Sequence, residues 1–451
     1  MKRRTFVRSS SALLTGSLLS ANYACMPNTT TTAAGARKNW AGNYEYRAAE
    51  LQAPRSVGEV QELVRRYDRI KGLGTRHSFN SIADTPELQL SLQHFDRVID
   101  LDETAGTVTV GAGMRYGELC RFLHERSYAL HNLASLPHIS IAGACATATH
   151  GSGDRNGNLA TAVTALELVT AAGEVVTLSR EADPERFPGA VIHLGALGIV
   201  TQVTLAVEPA YEAFQHVYLD LPLDQLEQHF DDIFAGGYSV SLFTDWTQSR
   251  INQVWVKNRA EHGAEAARPS ELYGAVAAAR DVHPIIEIPA ENCTAQLGAP
   301  GPWYDRLPHF RLEFTPSSGE ELQSEYFVPR RRAVDAILAV QRLGERIAPH
   351  LFISEVRSIA ADDLWMSPCY QQDSVAIHFT WKPDWPAVQQ LLPVIEAELA
   401  PYGVRPHWGK LFTLDPQVLQ GRYERLDDFR TLARRYDPKG KLRNGFLDRV
   451  L

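Results

Sequence analysis

The 451-residue chain has no surplus of positive charge. Its 45 Lys and Arg stand against 53 Asp and Glu, for a net charge of −8. That leaves no electrostatic footprint for a nucleic acid and no polybasic hold on a membrane surface. Cysteine is scarce: Cys25, Cys120, Cys145, Cys293 and Cys369 are all there are, with no Cys-x-x-Cys and no Cys/His cluster at zinc spacing. No metal site is expected, and the last four read as buried free thiols. Long apolar runs are missing too. Residues 9–24 are short and rich in Ser, too little to span a bilayer. Finally, no Gly-x-Gly-x-x-Gly lies between a strand and a helix with an acidic residue at the right distance, and there is no Walker sequence. Those absences exclude a Rossmann dinucleotide site and a P-loop.

Lys2-Arg3-Arg4-Thr5-Phe6-Val7-Arg8 is a twin-arginine sequence. Residues 1–25 therefore read as an export signal for the route that moves proteins already folded, which suits a cofactor loaded in the cytosol. Cys25 ends this stretch and is a candidate for lipid acylation; residues 26–38 read as a linker. The expected location is the periplasm or the outer side of the membrane.

Two small-residue stretches are the most informative part of the chain. Gly72-Leu73-Gly74-Thr75-Arg76-His77-Ser78 and Ser140-Ile141-Ala142-Gly143-Ala144-Cys145-Ala146-Thr147-Ala148-Thr149-His150 are turn-prone and, Arg76 apart, uncharged. Such segments cradle a diphosphate with backbone N–H groups in place of side-chain charge. Each carries a His. An imidazole nitrogen at His77 is nucleophilic enough to bond to a flavin ring, and such a bond would tune the ring's electronics.

Around these turns the pattern predicts α+β structure. Ser56 and Glu59 mark a helix start, and Val57, Val60, Leu63, Val64 and Tyr67 recur at helical spacing. Strands are expected over residues 70–74, 97–101 and 107–111, with a helix through Tyr116, Leu119, Phe122 and Leu123. A hairpin is expected at 164–170 and 175–178, and a strand from 197, with no βαβ series up to residue 208. From Glu212 aromatics become dense, and residues 257–308 read as an irregular excursion. Further strands are expected at 310–314, 324–328, 352–358 and 374–381. Helices are expected from Val334 to Pro349, over 385–399 and around Phe429.

Period-two alternation puts Glu355 and Arg357 on one face of a strand, and His378 and Thr380 on one face of another. Polar pairs inside apolar strands point to a polar-lined cavity. Lys410, closing Arg405-Pro406-His407-Trp408-Gly409-Lys410, could stabilise negative charge arriving on a reduced flavin.

Taken together these segments resemble the alditol oxidases, members of the vanillyl-alcohol-oxidase-like flavoproteins. The resemblance runs from about Asn39 to Leu447 and is carried by residues 74–80, 132–140, 149–153, 243–246, 310–319 and 405–410. It implies a two-lobed FAD-binding (PCMH-type) fold. Residues 39–208 would form the FAD domain, 209–410 the substrate domain, and 411–451 a segment returning to the FAD domain. It implies FAD attached covalently through His77 and held by Gly72 to Ser78, Ser140, Gly143, Thr147, Ala148, Thr149, His150, Val200 and His407. Ser135, Glu355, Arg357, Thr380 and Lys410 would line the polyol site. The implied reaction is oxidation of a terminal alcohol with oxygen as acceptor. Arg357 and Lys410 would favour the developing alkoxide, and His378 is a candidate proton acceptor. A monomer is expected. Arg76 departs from the family, where Gly often precedes the attachment His and permits positive φ. Ala134 is small enough to admit oxygen beside the flavin. Two other readings stand beside this one: a sugar-lactone oxidase or dehydrogenase of the same superfamily, and an exported sugar-binding protein without catalysis.

Overall fold

Among the described residues one large sheet and two smaller ones set the frame, beside the two-stranded pair of Tyr128–Ala129 with Glu208–Pro209. The structure, a computed structural model, describes residues 37–260, 269–312 and 320–451. The export signal, Cys25 and nearly all of the 26–38 linker lie outside the described residues. So do residues 313–319 of the 310–319 motif.

The first sheet is antiparallel. Its strands lie in the order Val98–Asp102, Thr107–Gly111, Ile199–Ala206, Val163–Val169, Val175–Ser179. Its tight turns sit where glycine permits a left-handed backbone, at Gly106 (φ 64°) and Gly173 (φ 78°). The second sheet departs from expectation. Glu50–Gln52 and Ile70–Leu73 both pair in parallel with Leu88–Ser91, and helix Val57–Arg66 joins the first to the second. One strand–helix–strand unit is therefore present. Its first strand is three exposed residues with no alternation, which is why the pattern does not show it. The helix starts as expected: Ser56 caps the Glu59 N–H, while the Glu59 carboxylate accepts from the Arg55 N–H at 2.8 Å.

Residues 212–406 supply a ten-stranded sheet. Its central order is Glu212–Pro222, Arg250–Arg259, Ser239–Thr244, Leu351–Ile359, Ser374–Trp381, Leu322–Pro329, Arg405–Pro406. Phe310 makes only an isolated bridge to Cys293, so residues 310–312 form no strand. The helix expected to run to Pro349 ends at Gln341. A separate short helix, Gly344–Ile347, follows the break, and a Cβ on Gly344 would come 2.1 Å from the Trp246 carbonyl, so only glycine fits where that helix starts.

The tail closes on the first lobe. The Asn444 amide donates to the carbonyls of Ser81, Ile82 and Asp84, and the Ile70 N–H donates to the Lys441 carbonyl. Residues 36–451 form one compact unit. Cys120, Cys145, Cys293 and Cys369 are free and buried. No helix among the described residues is long and apolar enough to cross a membrane.

Candidate active site

One cavity of about 500 Å³ takes its lining from both lobes. On its wall are Gly72, Leu73, Gly74, Thr75, Arg76, His77, Ser78, Ser140, Gly143, Thr147, Thr149, His150, Val200 and His407. Ser135, Arg357, His378, Thr380 and Lys410 line it as well. Ala148 is buried outside this lining, with a φ of 58°. Glu355 also lies behind the wall, where it accepts a hydrogen bond from His309.

The two small-residue stretches meet directly. A Cβ on Gly74 would sit 2.3 Å from Ser140 Oγ, and one on Gly143 would sit 3.0 Å from it. The second stretch is not all turn. Ile141–Ala146 is a short helix, built of residues too small to show an amphipathic face. The Arg76 departure leaves the turn intact: Arg76 takes φ 64°, the conformation a Gly would take, and its side chain is exposed. For a non-glycine residue that costs about 1–2 kcal/mol. His77 stacks on Trp40, with ring centroids 5.0 Å apart and planes 16° apart. Burial, with smaller help from His138 and Arg115, lowers its pKa to about 4. The imidazole is therefore neutral at pH 7, with a lone pair to offer.

This part of the cavity suits FAD. Among the described residues the carboxylates on the wall are Glu321 and Glu325, both at the large sheet. A diphosphate at the Gly-rich turns would meet backbone amides and no opposing negative charge.

The chemistry lies on one face of the large sheet. Glu325 pairs with His378, and His378 with Glu355, so the three form a row across three strands. Gln323 and Thr380 face each other one step along the same face. Cross-strand neighbours lie about 5 Å apart, so these side chains must interact. Glu325, fully buried, is the hub. Its Oε2 accepts from Lys410 Nζ at 2.6 Å and its Oε1 from Arg357 Nη2 at 2.6 Å, with His150 Nε2 3.3 Å from Oε1. Burial pushes the Glu325 carboxyl up, but Lys410, Arg357 and His150 outweigh it, leaving it well below the usual carboxylate range. Lys410 Nζ also donates to His378 Nδ1 at 2.8 Å, and His378 Nε2 lies 3.0 Å from Thr380 Oγ1. Burial, then the Lys410 charge, holds the His378 imidazole well below its ordinary value. Arg357 Nη1 reaches Ser135 Oγ at 3.4 Å, while its buried Nε has no hydrogen-bond partner. His150, Glu325 and His407 bring potential ligand atoms within 4.8 Å of one another. The Glu325 oxygens are committed to Lys410 and Arg357, however, and His407 Nδ1 accepts the Gly409 N–H.

Sequence reasoning missed Glu325, and with it the second row behind the site. Lys257 Nζ donates to the Leu307 and Pro308 carbonyls and to His309 Nδ1, which leaves the His309 Nε2–H to hold Glu355 at 2.7 Å. The alternation Glu321, Gln323, Glu325 was the available signal.

A curated alditol oxidase from a Streptomyces species is 48% identical over 419 residues, covering 92% of this chain and 98% of that protein. The chain belongs to the alditol oxidase family. Two family profiles fit this alditol oxidase-family chain: an FAD binding domain over residues 48–179 and a D-arabinono-1,4-lactone oxidase profile over 319–450. The L-gulono-1,4-lactone dehydrogenase of Mycobacterium tuberculosis is 29% identical, covering 92% of this chain and 98% of its own. Among solved structures, cholesterol oxidase from B. sterolicum superposes with a TM-score of 0.75 at 16% identity, over 92% of this chain and 96% of that one. That likeness shows the fold. This member of the family is accordingly an FAD-dependent oxidoreductase of the two-lobed PCMH type.

Proposed function

We propose that the protein oxidises the terminal alcohol of a linear polyol such as xylitol or sorbitol to the aldose, with oxygen as final acceptor and hydrogen peroxide as product. The observation that carries this reading is the Arg357–Glu325–Lys410 cluster on the wall of the FAD cavity, flanked by Ser135 and Thr380. FAD, when bound, supplies the hydride acceptor. The residues do the rest. Arg357 Nη1, which reaches Ser135 Oγ at 3.4 Å, is the donor for the reacting hydroxyl oxygen, where negative charge develops. His378 is not a free base: Nδ1 accepts from Lys410 and Nε2 faces Thr380. The hydroxyl proton therefore leaves through Lys410: Nζ first passes the proton it shares with His378 to Nδ1, and the neutral amine this leaves takes the hydroxyl proton, so that Lys410 ends charged beside the alkoxide. Ser135 and Thr380 orient the neighbouring hydroxyls, and Glu355 braces Arg357 from behind at 3.6 Å.

Anaerobic mixing of the yellow protein with xylitol tests this. The flavin absorbance is expected to bleach. A flavin that xylitol and sorbitol leave yellow but a sugar 1,4-lactone bleaches would move the protein to the lactone reading, which the profile over residues 319–450 supports.

The finer points belong to the same proposal. FAD is joined covalently through His77. Residues 1–25 direct export by the twin-arginine route, Cys25 is available for acylation, and the protein acts as a monomer outside the cytoplasm. Replacing Arg3 and Arg4 by Lys is expected to trap it in the cytosol on fractionation. Ala134, buried on the cavity wall beside Ser135, leaves room for oxygen. Ala134→Leu is expected to slow reoxidation of the reduced flavin while reduction by xylitol keeps its rate; stopped-flow mixing with oxygen separates the two.

A further inference from the structure

We propose that Glu325 is a positioning residue for this oxidation: its two oxygens hold Lys410 and Arg357 in place and charged, and through Lys410 fix His378 as the Nε2–H tautomer. The inference rests on the reading of the cavity as an alcohol-oxidising site. It starts from the census of groups around one carboxylate. Lys410 reaches Oε2 at 2.6 Å and Arg357 reaches Oε1 at 2.6 Å, while His150 lies 3.3 Å from Oε1 and His378 Nδ1 lies 3.8 Å from Oε2. His407 also faces it, with a ligand atom in the same cluster as His150. Lys410 is in turn faced by Glu325, His378, Arg357 and Glu355, and it influences Glu321.

Glu325 has no exposure through which it could bind substrate hydroxyls generally: its side chain is 0% accessible. It therefore acts through its partners. A buried ammonium and a buried guanidinium side by side need a counter-charge to remain in position. With Lys410 charged and bonded to Glu325, one N–H is left for His378 Nδ1 and one for the cavity. The His378 proton must then sit on Nε2, against Thr380. Glu325 thus sets which nitrogen can receive the proton that Lys410 passes on. Burial pulls the Lys410 ammonium down from its ordinary value and Glu325 is the largest influence holding it up.

The test uses the FAD-loaded enzyme and the variants Glu325→Gln and Glu325→Asp. Glu325→Gln is expected to stay yellow, to lower the rate of flavin reduction roughly 100-fold and to change KM much less. The alkaline limb of the pH profile for reduction should move to lower pH by about one unit or more, because Lys410 loses the charge that favours its protonated form. Glu325→Asp keeps the charge but withdraws it, so it should fold more readily and move the limb in the same direction by less. A slower variant whose limb stays put would mark Glu325 as merely structural and overturn the proposal. Any compound that bleaches the wild-type flavin serves, so a wild type that ignores xylitol but takes a lactone overturns the polyol reading alone. Should no compound bleach it, the 15N shifts of His378, assigned with His378→Asn, decide. Nε2–H in the wild type and its loss in Glu325→Gln are expected, and the same tautomer in both would overturn the proposal.

Discussion

Replacing Arg357 by Met is expected to slow flavin reduction by xylitol about a thousand-fold while FAD content is retained. Arg357 links Glu325, Ser135 and Glu355. Nη2 holds Glu325 at 2.6 Å, Nη1 reaches Ser135 Oγ at 3.4 Å, and Nε lies 3.6 Å from Glu355 with no hydrogen bond of its own. Its loss removes the donor beside Ser135, where the alkoxide forms, and strips Glu325 of one of the two cations that hold it. Stability should fall as well, by about 3–5 kcal/mol, since breaking a buried pair strands its partner. The sign with pH can be stated. Glu325 and Glu355 are both held below the ordinary carboxyl value of 4.5 despite burial, Glu325 mainly by Lys410 and Arg357, and Glu355 mainly by Arg357 and His309. Their contribution is present above 4.5 and is lost as pH falls through the depressed folded values. The Tm gap between wild type and Arg357→Met should therefore be widest near neutrality and narrow in acid. Arg357→Lys keeps the charge and loses the planar fork, so an intermediate rate is expected. A Met variant that reduces its flavin at the wild-type rate would remove Arg357 from the mechanism.

That cluster was only half legible in the sequence. Glu355 and Arg357, or His378 and Thr380, declare a shared face by spacing alone, because side chains alternate along a strand. What they share that face with depends on strand order. Leu322–Pro329 lies beyond Ser374–Trp381, though its sequence neighbour is Leu351–Ile359. Glu325 thereby arrives opposite His378; the alternation of Gln323 and Glu325 marks a polar face but does not say which strand it meets. Lys257 is harder still. Its partners are carbonyls of Leu307 and Pro308, in the excursion that shows no pattern of its own. The helix Ile141–Ala146 was hidden for another reason: Ala, Gly and Cys give it no apolar stripe, and its place is set by packing against the first Gly-rich turn. The strands with strong alternation, Thr107–Gly111, Val163–Val169 and Ser374–Trp381, fall close to where periodicity puts them.

His77→Ala is expected to move the flavin from wholly protein-bound to wholly released after acid precipitation, with the wild-type pellet yellow and the variant supernatant yellow. The geometry favours attachment at this residue. His77 lines the cavity, stacks on Trp40 and follows a residue whose left-handed backbone turns the chain sharply. His150, the other His of the Gly-rich stretches, is committed to the Gly151 carbonyl at 2.8 Å and faces Glu325. The protonation state supplies a second check. Attack by an imidazole needs the neutral ring, and burial lowers the His77 pKa from 6.5 to about 4. Attachment in apoprotein given FAD should therefore keep its rate as pH falls through 6.5 and decline only as pH approaches about 4. An exposed His would lose its lone pair about 2.5 pH units earlier. Loss of attachment near pH 6.5 would mean that the His77 ring is not desolvated in the turn. Release of flavin from the denatured wild type would mean that the turn binds FAD without the bond.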